Sequence, residues 1–263
     1  MSAMKLSLKG LVSFFVFLML LIVYSPIIMM MIFSFNSGRR TTFPFESFSV
    51  RWYVELFHKK ELMNALGSSF TLAIAVAFIT LGIVVSMGLF LRGLTRGRKA
   101  VFYIIALGII VPGISYGLGT GILYRMLNIR LSSWTALPVH VVWAVPWGLI
   151  ILLTAFTPEL ATYEEAARTL GASELEVFRQ VTMPLISSEM MAAALFGFLL
   201  SWGELIRSMF VAGGAATMPV FIYGFLYASP LTPMLYSLGT LNVAFSFILM
   251  IGVVTMLRRR GAS

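Results

Sequence analysis

The sequence predicts an all-α polytopic membrane protein: six transmembrane helices and one cytoplasmic loop folded as two short helices around an elbow. Three observations carry this. Of 263 residues, 59 % are apolar and only 11 % charged, with a mean hydropathy of +0.95, whereas a soluble domain is about half apolar and a quarter charged. Six apolar stretches, 11–35, 66–91, 100–127, 136–156, 186–210 and 235–257, each reach the roughly twenty residues needed to cross the hydrocarbon core as a helix. Between the fourth and fifth lies one polar segment, 157–185, with helix-start and helix-stop signals at fixed places. The six spans and the loop are read as one transmembrane domain over 1–263.

Composition also excludes. There is no cysteine, so no disulfide framework and no thiolate metal site. Two His and ten acidic residues, all of them Glu, leave little equipment for acid–base or metal chemistry. The net charge of +9 fits Lys and Arg flanking membrane spans better than a nucleic-acid surface.

Taken in order, Lys5 and Lys9 precede the first span. That run is longer than a signal-peptide core and lacks a small-residue cleavage site, so it reads as an uncleaved helix kinked at Pro26. In the loop 36–65, Ser49 can cap a short interfacial helix carrying Trp52, Tyr53, Leu56 and Phe57 beside Arg51 and Lys59, a structural brace or a contact for an outside partner. The second span holds a small-residue pair, Gly82 and Ser86. Arg92, Arg96, Arg98 and Lys99 crowd the next link. The third span is interrupted at Pro112-Gly113, and Gly117 with Gly121 forms a G-x-x-x-G pair that lets helices approach closely. Ordinary helix packing accounts for these glycines; lining a cavity is the alternative. His140, among Trp143, Pro146 and Trp147 in the fourth span, reads as a hydrogen-bonded bundle residue.

The polar loop is the most informative segment. Thr157 can cap a helix with Pro158 in its first turn, where the missing N–H costs nothing. The helix stops at Gly171, a residue that tolerates the left-handed cap. Ser173 and Glu176 form an S-x-x-E capping box that opens a second helix, with Leu175, Phe178 and Val181 or Thr182 along one apolar edge. In the fifth span Glu189 suits the helix dipole of the first turn. Glu204 and Arg207, three residues apart, are expected on one helix face, where they can pair. An isolated charge at mid-bilayer costs about 2.5–3.5 kcal/mol on insertion scales, which drives both toward the bundle interior or a wet cavity. They read either as a self-neutralising structural pair or, with Trp202, as a substrate or gating element. Arg258, Arg259 and Arg260 close the last span. Six spans place the N-terminal lysines, the Arg92–Lys99 cluster, the polar loop and the C-terminal arginines on one side, the cytoplasm by the positive-inside rule. The loop 36–65, with Arg39, Arg40, Arg51, Lys59 and Lys60, runs against that rule.

Glu165-Ala166-Ala167, three residues, Gly171, nine residues, Val181, one residue and Met183-Pro184 resemble the cytoplasmic loop of binding-protein-dependent ABC importer permeases. Met183 replaces the family's usual Leu. Ser49 to Tyr53, Asn64 to Thr71 and Ser201-Trp202-Gly203-Glu204 look like the second permease subunit of the polyamine (spermidine/putrescine) branch. The resemblance implies that Glu165, Ala166, Ala167, Gly171 and Pro184 belong to the coupling helix that docks on a pair of cytoplasmic ATPase subunits. It also implies a second, homologous but different permease chain, a periplasmic binding protein, and a bacterial inner-membrane location with cytoplasmic N- and C-termini. No cofactor is expected on this chain; with no G-x-x-x-x-G-K-[ST] motif, ATP and Mg would be used by the partner ATPase. Partners are proteins and membrane lipid, not nucleic acid. In the polyamine branch the Ser201–Phe210 region bears carboxylates; here Gly203 removes one acidic position and Arg207 adds a cation. A cationic or a zwitterionic solute, such as an amino-acid derivative, an opine or an aminophosphonate, is therefore expected. The rival class, a self-contained secondary transporter or channel, calls for more embedded charges or an inverted repeat, and neither is visible.

Overall fold

The computed structural model describes residues 2–39, 44–94, 96–214, 217–228 and 232–260. Arg40 and the side chains of Lys5, Arg258, Arg259 and Arg260, expected to mark the two faces of the membrane, lie outside the described residues. Among those described there is no strand, only an isolated antiparallel bridge between Asn36 and Phe48. Four helices are long and apolar enough to cross a membrane: Lys9–Phe33, Lys60–Gly93, Ser133–Leu153 and Pro233–Gly252. Two bent pairs, Arg98–Ile110 with Gly113–Met126 at 91° and Glu174–Leu185 with Ser187–Trp202 at 69°, raise the number to six if each pair is one span.

The chain divides into two compact units. The first comprises 1–60 and 224–245. Its helix α1, Ser2–Phe33, runs unbroken through Pro26. The expected interfacial helix is α2, Arg51–Phe57. Ser49 Oγ accepts the Arg51 N–H at 3.2 Å, one residue before the position that caps the helix. Trp52 and Leu56 are buried, and the Trp52 indole donates to the Asn36 carbonyl at 2.7 Å. Ser34 and Tyr53 hydroxyls meet at 2.6 Å, and Ser237 donates to the Ser34 carbonyl. This is the geometry of a brace, with Arg51 stacked on Trp52.

The second unit comprises 61–223 and 246–263. Helix α3, Lys60–Gly93, supplies Leu72, Val76, Val84 and Leu91 to its core. Helices α4, Arg98–Ile110, and α5, Gly113–Met126, follow, and then α6, Leu137–Leu153, which adds Val139, Ala144, Val145, Leu149 and Leu152. The bend between α4 and α5 falls at Val111-Pro112: Val111 is extended (ψ 121°), since the residue before proline is forced out of the helical region, and Pro112 is extended as well (ψ 127°). A methyl on Gly148 of α6 would lie 3.2 Å from Val84, so that glycine lets α3 close on α6.

The polar loop holds α7, Pro158–Thr169, then α8, Glu174–Val177, a wide π turn over Phe178–Thr182 and the short α9, Met183–Leu185. Helix α10, Ser187–Trp202, follows. At about 1.5 Å per residue its 16 residues cover only about 24 Å, short of the roughly 30 Å hydrocarbon core. The apolar stretch 186–210 is therefore not one helix. It breaks at Gly203–Arg207 and resumes as the single turn α11, Ser208–Val211. Two further helices follow among the described residues: α12, Met218–Ala228, a short apolar element the sequence reading did not separate from the loop before the last span, and α13, Pro233–Arg260.

Candidate functional site

Two places gather the residues singled out by sequence. The first is the elbow. Thr157 Oγ1 accepts the Leu160 N–H, opening α7 with Pro158 in its first turn. Gly171 has φ +92°, the left-handed region that favours glycine. Ser173 Oγ accepts the Glu176 N–H, and Glu176 accepts from both the Ser173 N–H and hydroxyl, at 2.8 and 2.7 Å. These hydrogen bonds hold the Glu176 carboxyl below its usual range. Across the elbow, Arg168 grips Glu174 with two hydrogen bonds at 2.7 and 3.0 Å.

Glu165 and Ala166 are exposed and Ala167 is half-buried. The tip carries apolar side chains as well: Leu170 is 88 % exposed and Leu175 64 %. Leu175 was expected on the inward edge. The buried residues are Thr182, one of the two expected there, and Val177, at 3 % and 2 % exposure. Their spacing of five is that of a π turn rather than an α-helix, so the wide turn re-phases the edge. Pro184 lies in the first turn of α9 and is exposed.

The residue the sequence reading passed over is Glu164, immediately before the Glu-Ala-Ala motif. It is 2 % exposed. Arg92 at the end of α3 pairs with it at 2.5 Å and also donates to its second oxygen at 2.7 Å. Thr182 donates to that same second oxygen at 2.5 Å. Burial pushes its pKa up, but hydrogen bonds from Arg92 and Thr182 outweigh this and hold it below the ordinary 4.5.

The second place is the break after α10. Glu204 and Arg207 do not share a helix face, because Gly203–Arg207 is not helical. They are paired nonetheless. Glu204 Oε2 accepts from Arg207 Nη1 at 2.9 Å, while Oε1 accepts the Arg207 N–H at 3.0 Å, so the carboxylate caps the turn that follows. Both are buried, at 8 % and 6 % exposure. The Arg207 guanidinium lies 3.9 Å from the Trp143 ring centroid, an arrangement that strengthens when desolvated. Trp202 does not supply that ring; it is buried and stacks on Phe198.

His140 of α6 pins both sides of the break. Its Nδ1 meets Ser201 Oγ and its Nε2 meets Ser208 Oγ, each at 2.8 Å. Ser208 donates its own proton to the Glu204 carbonyl, so its oxygen accepts from Nε2–H, and Nδ1 accepts from Ser201. The glycines of α5 find their purpose here. A methyl on Gly117 would lie 3.0 Å from Arg207 Cα, and one on Gly121 would lie 2.7 Å from the Phe210 carbonyl oxygen. The G-x-x-x-G pair therefore admits the backbone of the break itself. Among the described residues no cluster of three or more metal-ligating side chains occurs.

No family model matches the chain. Its helices, elbow motif and relatives nevertheless define a class: the chain belongs to the permease family of binding-protein-dependent ABC importers and is a transmembrane permease subunit of such an importer. It is 31 % identical over 212 residues to the "Putrescine transport system permease protein PotI" of Escherichia coli (strain K12), covering 76 % of this chain and 74 % of that one. It is 28 % identical over 231 residues to the "Spermidine/putrescine transport system permease protein PotC" of the same strain, covering 87 % and 86 %. Among solved structures, a chain of a bacterial alginate ABC importer superposes with a TM-score of 0.69 at 14 % identity, over 97 % of this chain and 96 % of that one. A chain of the MetNI methionine ABC transporter gives 0.65 at 17 %, over 76 % and 95 %. The self-contained secondary transporter or channel gives way to the importer permease.

Proposed function

We propose that this permease passes a small positively charged organic solute of the polyamine class into the cytoplasm of a bacterium, driven by a separate pair of ATPase subunits that bind its elbow. The elbow geometry carries the reading. A glycine at φ +92° joins two capped helices, and two leucines, Leu170 and Leu175, stand exposed at the tip. Exposed apolar side chains at a rigid corner are what a protein partner covers. Glu165 adds a charged anchor, and Ala166 allows close approach. The partner ATPase supplies ATP and Mg chemistry; this chain supplies the docking helix. A periplasmic binding protein delivers the solute, and a homologous second permease completes the pore. The inner membrane holds the chain with both termini cytoplasmic.

The substrate class rests on the relatives' names, which specify putrescine and spermidine. A specific observation favours a second reading. Glu204 is paired within the chain with Arg207, so a solute that opened the pair would meet both signs of charge, as suits a zwitterion. The test is ATP hydrolysis by the reconstituted complex with its binding protein, challenged separately with putrescine, spermidine and 2-aminoethylphosphonate. Stimulation by either polyamine is expected. Stimulation by the zwitterion alone would move the substrate to the second class, and failure of any ATPase to co-purify would overturn the coupling reading.

A further inference from the structure

The elbow touches the membrane-spanning bundle through a buried polar contact that the docking role does not require. Glu164 is adjacent to Glu165, yet one carboxylate is exposed and the other is 2 % exposed. Glu164 receives Arg92 from the end of α3 on both its oxygens and Thr182 from the π turn on one. Three segments therefore meet on one side chain: α3, α7 and the turn that leads into α10. Beside them the cavity lined by Leu89, Arg92, Arg168, Glu174 and Phe178 has a volume of about 490 Å³. Leu160 of α7 joins the same apolar core as Leu91 of α3, and on the side of the cavity the polar contact is what closes the elbow against α3. A carboxylate buried among two charge-assisted hydrogen bonds is costly to break and directional, unlike the apolar contacts around it.

We propose that Glu164 is the positioning residue that locks the elbow to α3, so that a displacement imposed on the elbow moves α3 and the start of α10 as one body. This rests on the reading that the elbow docks an ATPase. The wide turn is part of the device. With ordinary helical phase, i and i+4 would share a face and Val177 would be matched by Val181, which offers Glu164 no hydroxyl. The extra residue of the π turn brings Thr182 onto the inward face instead. Arg92 is held in place by the ring of Phe156 beneath it, 5.6 Å away.

The experiment uses the assembled complex in lipid, with spin labels on cysteines placed at Thr162 of α7 and Phe78 of α3, both exposed, both in the second unit and neither at the docking tip. The parent should give one narrow distance distribution, the same with and without ATP. Glu164→Gln and Arg92→Gln should broaden it when ATP is added, while the ATPase still co-purifies. Solute taken up per ATP hydrolysed, measured with radiolabelled putrescine, should fall at least tenfold. Thr182→Val should weaken coupling in the same direction, and Thr182→Ser should restore it, which a loss of packing would not. Unchanged distributions and unchanged uptake per ATP in Glu164→Gln overturn the proposal. A parent complex that fails to retain any ATPase overturns the docking reading instead, and the two outcomes are distinct.

Discussion

The guanidinium of Arg207 rests on the indole of Trp143, 3.9 Å from its centroid, while its own carboxylate partner Glu204 sits three residues back along the chain. One charge is thus covered by an aromatic face and the other by the backbone N–H it caps. The pair is neutral as a whole and closed within a single short break. Removing one partner leaves the other buried and uncompensated, which costs about 3–5 kcal/mol, whereas removing both costs far less.

This gives the first prediction. Glu204→Gln and Arg207→Gln singly should lower the thermal stability of the purified complex, and the double change should restore most of it. If the pair also serves passage of the solute, the double variant should assemble with its ATPase and yet fail in uptake. Full uptake by the double variant would reduce the pair to packing.

The elbow yields a second. Nothing lies within 4 Å of a methyl built on Gly171, so substitution there is resisted by the backbone and not by neighbours. Gly171→Ala should cost about 1–2 kcal/mol in the left-handed region. Gly171→Pro, with φ locked near −65°, should abolish ATPase retention. Glu165→Lys should weaken retention by reversing an exposed charge without disturbing insertion. Co-purification on an affinity tag reads all three.

A third prediction is topological. The chain has no cysteine, so single cysteines report cleanly. Ser47→Cys, exposed in the loop after α1, should react with an impermeant maleimide from outside. Leu170→Cys should react only once the membrane is opened. Reversed labelling would invert the assignment of the cytoplasmic face.

The fourth concerns acid. Burial raises the Glu164 pKa, but Arg92, Thr182 and the nearby Arg168 hold it below 4.5 in the folded chain. A depressed folded pKa contributes stability that is present above the unfolded value and lost as pH falls through the folded one. Thermal stability measured from pH 7 to pH 4 should therefore hold down to about pH 4.5 and decline below it. In Glu164→Gln that part of the decline should vanish. An unchanged acid profile in the variant would show that the carboxylate contributes nothing through its ionisation.

What could be read from sequence follows from which interactions are local. The caps at Thr157 and Ser173 and the left-handed Gly171 involve partners no more than three residues apart, and the two-helix elbow was legible for that reason. The inward role of Glu164, next to the Glu165 of the motif, was not. They are the same residue type side by side, and only Arg92, 72 positions away in the chain, separates the inward carboxylate from the outward one. The break at Gly203–Arg207 was hidden by its flanks. Apolar residues run on either side, and a Glu and an Arg three apart fit a helix face as readily as they fit a capped turn. His140 betrayed its hydrogen-bonded character but not its two serines, which lie 61 and 68 positions away. Helix α12 is too short and too close to the last span to stand out by hydropathy.

The wide turn at Phe178–Thr182 makes segment length, more than side-chain identity, the quantity that matters between Gly171 and Pro184. A π turn is an α-helix carrying one surplus residue. Excising a residue there would return the segment to regular winding and rotate everything on one side of the cut by about 100° relative to the other. Thr182 would swing out of reach of Glu164, and the leucines at the elbow tip would point in a new direction. Exchanges such as Met183 for leucine leave the winding untouched. The stretch behaves as a gauge block: its surface can be refinished, but shaving one unit from its length spoils the fit at both ends.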